Sequence, residues 1–373
     1  MEKRKFGNTG IKTSLLGFGG FHLCEIPFKK AEVLLNTYLN QGGSYIETAP
    51  SYGDGDSEIK IGCAISNRRK EYTLVTKAHD RDYATCKCTL EQSFKNLKTD
   101  YIDVVLMHGV GRMETLEEIL GDQGAVKAVE EFIAAGKVGH IGISMHGQPD
   151  VLIEALKRYP FEAVMSTINY LDICNFPKIK TDLLPLTLEK GIALILMKPL
   201  ADGYLYESVE PAFRYAFSQP ASVVVTGMNS MNMLKKDMAL AESYTPMTEN
   251  EIDTLMHIAP ELNNYVCRQC NRCMPCPHNV DIIENFRLEA IFDRQMNKGD
   301  VENSAKYALQ ERLKHWFGTK DLAIEKYESL DGKASDCTEC GECMSKCPYN
   351  IDIIQKLKNV DYKLTPEYGR IWK

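Results

Sequence analysis

A cysteine motif occurs twice in the last third of this chain. The first copy occupies residues 267–277 and reads CRQCNRCMPCP, and the second occupies residues 337–348 and reads CTECGECMSKCP. Each copy has three cysteines separated by two residues, then a fourth cysteine followed by proline. The tripeptide Asp-Ile-Ile follows each copy, at residues 281–283 and 352–354. The repeat uses eight of the 13 cysteines, so this region must fold around its thiols.

Thiolates at this spacing hold iron–sulfur clusters, and in two-cluster modules of the bacterial ferredoxin type the fourth cysteine of one run ligates the other cluster. We therefore expect two [4Fe–4S] clusters in this region. The expected ligand sets are Cys267, Cys270, Cys273 and Cys347 for one cluster, and Cys337, Cys340, Cys343 and Cys276 for the other. The first copy departs from the usual spacing, since two residues rather than three separate its third and fourth cysteines. Structural zinc is the alternative, because paired Cys-x-x-Cys units also bind zinc.

Composition and charge exclude several classes of protein. The hydrophobic content of 44% and the charged content of 25% are typical of globular proteins. A net charge of −7 indicates neither a nucleic-acid partner nor an anionic membrane partner. Residues 1–6 carry charges with no apolar segment after them, so we expect no signal peptide. The five cysteines outside the motif are scattered, which favours free thiols in a reducing cytoplasm.

The part of the chain before the cysteine motif alternates short β-rich runs with amphipathic stretches. The candidate strands are 15–19, 45–48, 72–77, 102–108, 138–144, 163–169, 193–198 and 222–226. The candidate helices are 29–40, 58–66, 89–97, 126–135, 151–158, 180–189, 211–217 and 231–240. Regular alternation predicts a parallel sheet, and eight units suffice to close a (β/α)8 TIM barrel. A doubly wound open sheet is the alternative.

A helix start near residue 250 marks the expected end of the barrel. Residues 248–251 read TENE, which is typical of a capping box that opens a short helix. We therefore expect a barrel domain over residues 1–250 and a small, mainly helical, ferredoxin-like iron–sulfur domain over residues 251–373.

Polar side chains occur where three neighbouring predicted strands end. Glu47, Lys77 and His108 lie at these ends, and Tyr52 follows five residues after Glu47. Functional side chains of such barrels lie at the C-terminal ends of the strands. The set suits reduction of a carbonyl group, which needs a proton as hydride arrives. A tyrosine can donate that proton if a neighbouring ammonium lowers its pKa, a carboxylate holds the ammonium, and a histidine orients the carbonyl oxygen.

These residues resemble the aldo-keto reductase superfamily. The motifs that carry the resemblance are FGNTG at 6–10, LGFG at 16–19, YIETAPSYG at 45–53, VTK at 75–77, DVVLMH at 103–108, GIS at 142–144, NY at 169–170, MKPL at 197–200 and VTGM at 225–228. With the cysteine motif, the chain resembles the iron–sulfur branch of that superfamily. The resemblance implies that Tyr52 is the general acid and base, Lys77 its pKa modulator and His108 the carbonyl-orienting residue. Glu47 stands where most relatives have aspartate.

The resemblance also implies a nicotinamide cofactor. The implied cofactor contacts are Ser144, Asn169, Met197, Gly227 and Met228. Relatives bind the 2′-phosphate of NADPH with basic residues after the last strand, but here no Lys or Arg occurs before Lys235 and Lys236. We therefore expect little discrimination between NADH and NADPH, with backbone amides at the start of the last helix available to a phosphate.

Three functions remain open from the sequence. In the first, the protein reduces an aldehyde or ketone with NAD(P)H while its clusters exchange electrons with a ferredoxin, another redox partner or a bound flavin, because a flavin usually couples hydride transfer to one-electron transfer. In the second, the barrel no longer uses nicotinamide and the protein is a ferredoxin-linked electron-transfer enzyme. In the third, the clusters serve structure or interaction.

Overall fold

The computed structural model describes residues 1–295 and 320–366. The chain divides into two compact units, neither of which is continuous in sequence. The first unit comprises Met1–Ile168, Lys180–Pro199 and Glu210–Met247. The second comprises Asn169–Ile179, Leu200–Val209 and the described part of Thr248–Lys373. The boundary at residue 250 stays a prediction.

The first unit contains a closed barrel of eight parallel strands. In chain order the barrel strands are β3 (Leu16–Gly19), β4 (Tyr45–Glu47), β5 (Thr73–Ala78), β6 (Ile102–Met107), β7 (Val138–Met145), β8 (Ala163–Thr167), β9 (Ala193–Met197) and β10 (Val223–Gly227). Each strand pairs with its neighbour in sequence, and β10 pairs with β3 to close the barrel. The predicted (β/α)8 barrel is therefore confirmed, and the alternative of an open sheet is wrong.

An antiparallel hairpin precedes the barrel, formed by β1 (Lys3–Lys5) and β2 (Lys12–Ser14). The helices up to residue 243 are α1 (Phe28–Asn40), α2 (Asp56–Ile65), α3 (Tyr83–Leu97), α4 (Met113–Leu120), α5 (Ala125–Ala134), α6 (Pro149–Arg158), α7 (Tyr170–Asn175), α8 (Leu184–Lys190), α9 (Val209–Phe217) and α10 (Met231–Ser243). Helices α4 and α7 were not predicted. A π-helical turn over Ile179–Leu183 replaces the start of the predicted helix 180–189.

The interior of the barrel is a packed apolar core. It contains Phe6, Tyr45, Val75, Val104, Leu106, Ala163, Met165, Ala193, Ile195, Met197, Val223 and Val225. Branched side chains dominate strands that are buried on both faces, as in other parallel sheets. This filling leaves the strand ends and the loops after them as the places where polar chemistry can be assembled.

Most of the described second unit is helical, as predicted. Its helices after residue 247 are α11 (Glu249–Ile258), α12 (Ile282–Asp293), α13 (Lys320–Glu328) and α14 (Ile353–Leu364). Helix α11 begins with the predicted capping box between Thr248 and Glu251. The two Asp-Ile-Ile tripeptides have the same structural role, because Asp281 and Asp352 each accept a backbone N–H bond as N-caps of α12 and α14. Among the described residues, no helix is long and apolar enough to cross a membrane.

Two segments that follow barrel strands in the chain pack within the second unit. The buried Arg294 guanidinium lies 3.0 Å from Asp172 Oδ1 and 2.9 Å from Asp202 Oδ2. The neighbouring Gln295 accepts a hydrogen bond from the Cys267 backbone N–H at 2.8 Å and donates one to Asn175 at 2.9 Å. Residues 172–175, after β8, are thereby fixed to the first cysteine run and to the end of α12.

Candidate active site and cluster ligands

Neighbouring strands position the predicted catalytic residues of the barrel. Glu47 is the last residue of β4, Lys77 is the penultimate residue of β5, and His108 directly follows β6. Tyr52 lies in the loop between β4 and α2. Because parallel strands direct their carboxyl ends to one face, the first three side chains come from the same end of the barrel.

Three of the four side chains are in direct contact. The Lys77 ammonium forms an ion pair with Glu47 and donates to the Tyr52 hydroxyl oxygen and to the Thr48 carbonyl oxygen, both at 2.9 Å. The Tyr52 hydroxyl lies 3.3 Å from Glu47 Oε1. Lys77 is 2% exposed and Glu47 is 3% exposed, so little water screens these charges. The ion pair of Lys77 forms with glutamate in place of the aspartate of most relatives.

Burial controls the proton affinities of this cluster. Burial raises the pKa of Tyr52 above its usual value near 10, and it lowers the pKa of Lys77 well below its usual range, with Lys198 acting in the same direction. The contact with the Glu47 carboxylate acts against this and favours the ammonium form of Lys77. The resemblance implied a lowered tyrosine pKa, but the net direction in the structure is upward, because the phenolate loses hydration on burial. Tyr52 is therefore held in its protonated form, ready to donate.

His108 completes the group from the next strand. Its ring centroid is 6.1 Å from that of Tyr52 and 5.4 Å from that of His79. Burial lowers the pKa of His108 well below its usual value, and Lys77, His146, His79 and Arg81 act in the same direction, so the imidazole is neutral at pH 7. Its buried Nδ1 has no hydrogen-bond partner among the described residues.

Sequence reasoning missed Arg81, which supports His108 through the backbone. The Arg81 guanidinium donates to the carbonyl oxygens of His108 at 2.9 Å and of Gly109 at 3.3 Å. Arg81 lies three residues beyond the end of β5, on the same loop as His79. A search for polar residues beyond the strand ends, rather than at them, would have found both.

The predicted cofactor contacts have different environments. The buried Ser144 hydroxyl donates to the Met107 carbonyl oxygen at 3.2 Å. The Asn169 side chain caps α7, since Oδ1 accepts from the backbone N–H groups of Leu171 and Asp172 and Nδ2 donates to Asp172 Oδ2. Because these bonds occupy the Asn169 side chain, a nicotinamide contact by Asn169 requires a rearrangement of the cap, and its role as a cofactor contact stays a prediction. The Met197 side chain belongs to the barrel core.

The end of β10 and the segment after it contain the remaining predicted cofactor contacts, Gly227 and Met228. Gly227 ends β10, and a Cβ atom there would lie 2.0 Å from His22 Cδ2, so only glycine fits without displacement. Met228 is buried, and Ser230 caps α10 by accepting the Met233 backbone N–H at 3.3 Å. The N-terminal amides of α10 suit an anion.

The cysteines of the two runs form two groups. One cavity is lined by the four cysteines Cys267, Cys270, Cys273 and Cys347, with an apolar wall that includes Ile283 and Phe286. Burial raises the pKa of Cys343, and the nearby Cys337, Cys276 and Cys340 thiols raise it further. The fourth cysteine of each run thus lies with the first three of the other, as expected for crossed ligation.

The donor set fits iron–sulfur clusters. Each group offers four thiols, and the first offers them around an apolar cavity, which matches the ligand chemistry of a cubane. No three His, Cys, Asp or Glu side chains within residues 1–295 and 320–366 converge closely enough to hold one metal ion. Ligation by these eight cysteines stays a prediction.

A family model described as "Aldo/keto reductase family" matches residues 15–265. The chain belongs to this family. A second model, described as "4Fe-4S dicluster domain", matches residues 266–351. This aldo-keto reductase therefore carries the barrel and the iron–sulfur module that its sequence predicts.

Several known proteins resemble this aldo-keto reductase. The oxidoreductase YqkF of Bacillus subtilis is 27% identical over 306 residues, which are 68% of this chain and 95% of YqkF. The L-galactose dehydrogenase of Arabidopsis thaliana is 28% identical over 230 residues, 58% of this chain and 70% of the relative. The methylglyoxal reductase YeaE of Escherichia coli is 30% identical over 197 residues, 52% and 66% of the two chains.

Solved structures agree on the fold. An aldo-keto reductase from Bacillus halodurans, in its holo form, has a TM-score of 0.60 and 26% identity, covering 68% of this chain and 96% of its own. An aldo-keto reductase from Klebsiella pneumoniae, in complex with NADPH, has a TM-score of 0.59 and 20% identity, covering 70% and 96%.

Proposed function

We propose that this aldo-keto reductase reduces the carbonyl group of a small aldehyde or ketone with NADH or NADPH, and that two [4Fe–4S] clusters connect it to one-electron carriers. The observation that carries the proposal is the buried Lys77 ammonium, which lies 2.9 Å from the Tyr52 hydroxyl and pairs with Glu47. The relatives named as a dehydrogenase of L-galactose and a reductase of methylglyoxal support the reaction class.

In the proposed mechanism the cofactor provides the hydride and the protein provides the proton. A bound nicotinamide supplies the hydride. Tyr52 donates its hydroxyl proton to the carbonyl oxygen, and Lys77 stabilises the phenolate that remains by donating to the same oxygen. Glu47 keeps the ammonium in place through the ion pair. The neutral His108 imidazole donates a hydrogen bond to the carbonyl oxygen and orients it.

Ser144, the backbone at Gly227 and Met228, and the first amides of α10 are the proposed contacts to the cofactor. No basic side chain occurs after β10 before Lys235. A charge-assisted contact to a phosphate contributes about 1.5–3 kcal/mol, or roughly one to two powers of ten in affinity. We expect dissociation constants for NADH and NADPH within about tenfold of each other. Calorimetric titration measures both, and a hundredfold preference for NADPH would place a basic clamp elsewhere in the chain.

Each cluster, when bound, supplies one-electron transfer. Cys267, Cys270, Cys273 and Cys347 are proposed to hold one cluster, and Cys337, Cys340, Cys343 and Cys276 the other. Anaerobically purified protein should contain about eight iron and eight acid-labile sulfide, and stoichiometric zinc without sulfide contradicts the proposal. Cys276→Ser should alter the electron paramagnetic resonance (EPR) spectrum of the Cys337 cluster. Alteration of the Cys267 cluster alone would refute crossed ligation.

A second candidate function follows from Asn169. Its side chain is fully engaged in the cap of α7, which favours a barrel that no longer binds nicotinamide and an enzyme that receives electrons from a ferredoxin or a similar carrier. Anaerobic addition of NADH and NADPH to oxidised protein separates the two functions. Bleaching of the cluster absorbance supports nicotinamide chemistry, directly or through a bound flavin. Absence of binding by either nucleotide supports the second function.

The location of the protein is part of the same proposal. Scattered cysteines outside the motif suit a reducing cytoplasm, where oxygen-sensitive clusters and a pool of one-electron carriers coexist. This location stays a prediction.

A further inference from the structure

The iron–sulfur module contains a network of charges that solvent barely reaches. Glu289 is completely buried, and Lys356 and Lys363 are each 1% exposed. Lys356 Nζ lies 2.7 Å from Glu289 Oε2, and Lys363 Nζ lies 2.5 Å from Glu289 Oε1 and 2.7 Å from Asp293 Oδ2. The Tyr265 hydroxyl donates to Glu289 Oε1 at 2.6 Å. Replacing buried ion pairs by apolar packing is often neutral or stabilising, so stability alone does not account for this network.

The Lys356 end of the network adjoins the first cysteine cavity. Lys356 Nζ lies 3.6 Å from the centroid of the Tyr265 ring and 4.8 Å from that of Phe286. Phe286 lines the cavity together with Cys267, and Tyr265 precedes Cys267 by two residues. The ammonium therefore lies close to Phe286, one of the aromatic rings of the cavity wall.

Burial lowers the pKa of Lys356, and the ionised Glu289 carboxylate acts against this by favouring the ammonium form. Although burial opposes it, the ammonium groups of Lys356 and Lys363 hold the pKa of Glu289 at about 2. Glu289 divides its carboxylate between two ammonium groups and a hydroxyl, so it compensates Lys356 only in part.

The second cysteine group has a different environment. Each group has one exposed cysteine, Cys270 or Cys340, but the first group also has two buried cysteines and the second has none. The charged pair beside Cys340 in sequence, Glu339 with Lys358, is 55% and 52% exposed. Water and salt screen charges at such positions. A fixed positive charge in a dry environment thus adjoins the first group, and a screened pair adjoins the second.

We propose that Lys356 is a potential-setting residue, which raises the reduction potential of the cluster held by Cys267, Cys270, Cys273 and Cys347 above that of the other cluster. Each cluster, when bound, would accept one electron from a one-electron donor such as a reduced ferredoxin, and the nearby buried ammonium would stabilise the added negative charge on the first cluster. The difference in reduction potential would direct the electron to the first cluster. The inference depends on the proposed ligand sets.

The test is a potentiometric titration of the full chain with dithionite, followed by EPR. Wild-type protein should show two one-electron steps, and Cys340→Ser identifies the step of the second cluster. Lys356→Met should make reduction of the first cluster about tenfold less favourable, a shift of 59 mV for one electron, while Lys356→Arg should keep the wild-type value. The second cluster should shift by less than half as much.

Two further variants separate an electrostatic effect from damage to the fold. Lys356→Gln removes the charge but keeps a group that can donate to Glu289, and it should shift the first cluster in the same direction as Lys356→Met. Lys358→Met changes the same residue type on the same helix at an exposed position and should leave the first cluster unchanged. If Lys356→Met does not fold, Lys356→Gln still decides the sign.

The results that overturn the proposal are distinct from those that overturn the ligand sets. Equal shifts of both clusters in Lys356→Met, or no shift in either Lys356→Met or Lys356→Gln, refute the role of Lys356. Iron and sulfide well below eight atoms each, in the wild-type protein, instead refute the proposed clusters.

Discussion

The barrel and the iron–sulfur module each bury a glutamate, a lysine and a tyrosine in contact, but in a different order. In the barrel, the Lys77 ammonium contacts both Glu47 and the hydroxyl of Tyr52, to which it donates at 2.9 Å, and the hydroxyl also lies 3.3 Å from Glu47. In the module, the carboxylate of Glu289 lies between an ammonium and the hydroxyl of Tyr265, which donates to it at 2.6 Å. The proposed mechanism uses the barrel order to stabilise a phenolate during the reaction. In the module, the carboxylate favours the protonated form of Tyr265.

The order of the groups also explains how each triad is used. Burial raises the pKa of Tyr265, and the Glu289 carboxylate raises it further, so this hydroxyl is a structural donor. Burial also raises the pKa of Tyr52, but here an ammonium donates to the hydroxyl oxygen. The same three residue types therefore give a proton donor in one place and a fixed electrostatic field in the other.

The largest expected difference between the triads is in catalysis. Tyr52→Phe should lower turnover of an aldehyde or ketone by a factor on the order of 10² or more, with cofactor binding nearly intact, because only the transition-state proton transfer is lost. Tyr265→Phe removes the matching hydroxyl from the module. We expect it to leave the rate within about threefold and to reduce stability by about 1–3 kcal/mol. Steady-state kinetics measure the turnover of the two variants, and thermal unfolding measures their stability. Comparable turnover in wild-type and Tyr52→Phe protein eliminates the proposed mechanism.

A smaller difference is expected when each lysine is removed. Lys77→Met should reduce turnover by about ten- to hundredfold and should move the alkaline limb of the pH–rate profile to higher pH, because the phenolate loses its stabilising ammonium. Lys77→Met combined with Glu47→Gln avoids an unpaired buried carboxylate and should give the same shift. Lys356→Met should leave this limb where it is. A limb that moves to lower pH in Lys77→Met contradicts the assigned role.

The smallest expected effect concerns the pH dependence of stability. Burial raises the pKa of Asp237, on α10, from 3.8 to about 7. Between these values the folded protein binds a proton that the unfolded chain does not, so stability from this group falls as pH rises from about 4 to about 7. Asp237→Asn should therefore stabilise the protein at pH 8, by roughly 1–4 kcal/mol, and much less at pH 5.

The pKa of Glu289 is shifted in the opposite direction to that of Asp237. Its pKa is lowered from 4.5 to about 2, so its stabilising effect is present above about pH 4.5 and is lost as pH falls towards 2. Asp237→Asn and Glu289→Gln should thus change the unfolding temperature in opposite directions at pH 8. Calorimetry at pH 8 measures the unfolding temperatures of both variants. Changes of the same sign would contradict the opposite pKa shifts of Asp237 and Glu289.

The barrel and the positions of its candidate catalytic residues could be predicted from the sequence, because each pattern lies within a few neighbouring residues. Strand runs such as residues 102–107 are apolar and bounded by helical patterns, and Glu47, Lys77 and His108 occupy strand ends that periodicity alone can locate. Duplication of the cysteine motif likewise predicted the crossed grouping, because the ligation rule for such modules depends on spacing.

Features that depend on distant packing were not accessible. Lys356 and Lys363 lie seven residues apart, hence on one face of α14, but charged residues on a helix face usually indicate exposure to solvent. Tertiary contacts bury them, with Glu289 and Asp293 on α12 and with the rings of Tyr265 and Phe286. Asn169 was assigned to a strand, yet its side chain bonds the next backbone amides and starts α7 instead, a choice that asparagine makes at helix starts.

The contacts of Arg294 have a consequence for any attempt to divide the protein. A chain cut near residue 250 would keep Asp172 and Asp202 but lose the buried guanidinium that neutralises both. Removing one partner of a buried ion pair typically costs about 3–5 kcal/mol. The isolated barrel fragment would also lose the bonds of Gln295 and Gln269 to residues 174–175. Its reductase half is therefore expected to be insoluble or poorly expressed on its own, and a transplant of the cluster module onto another barrel would have to carry residues 169–179 and 200–209 with it.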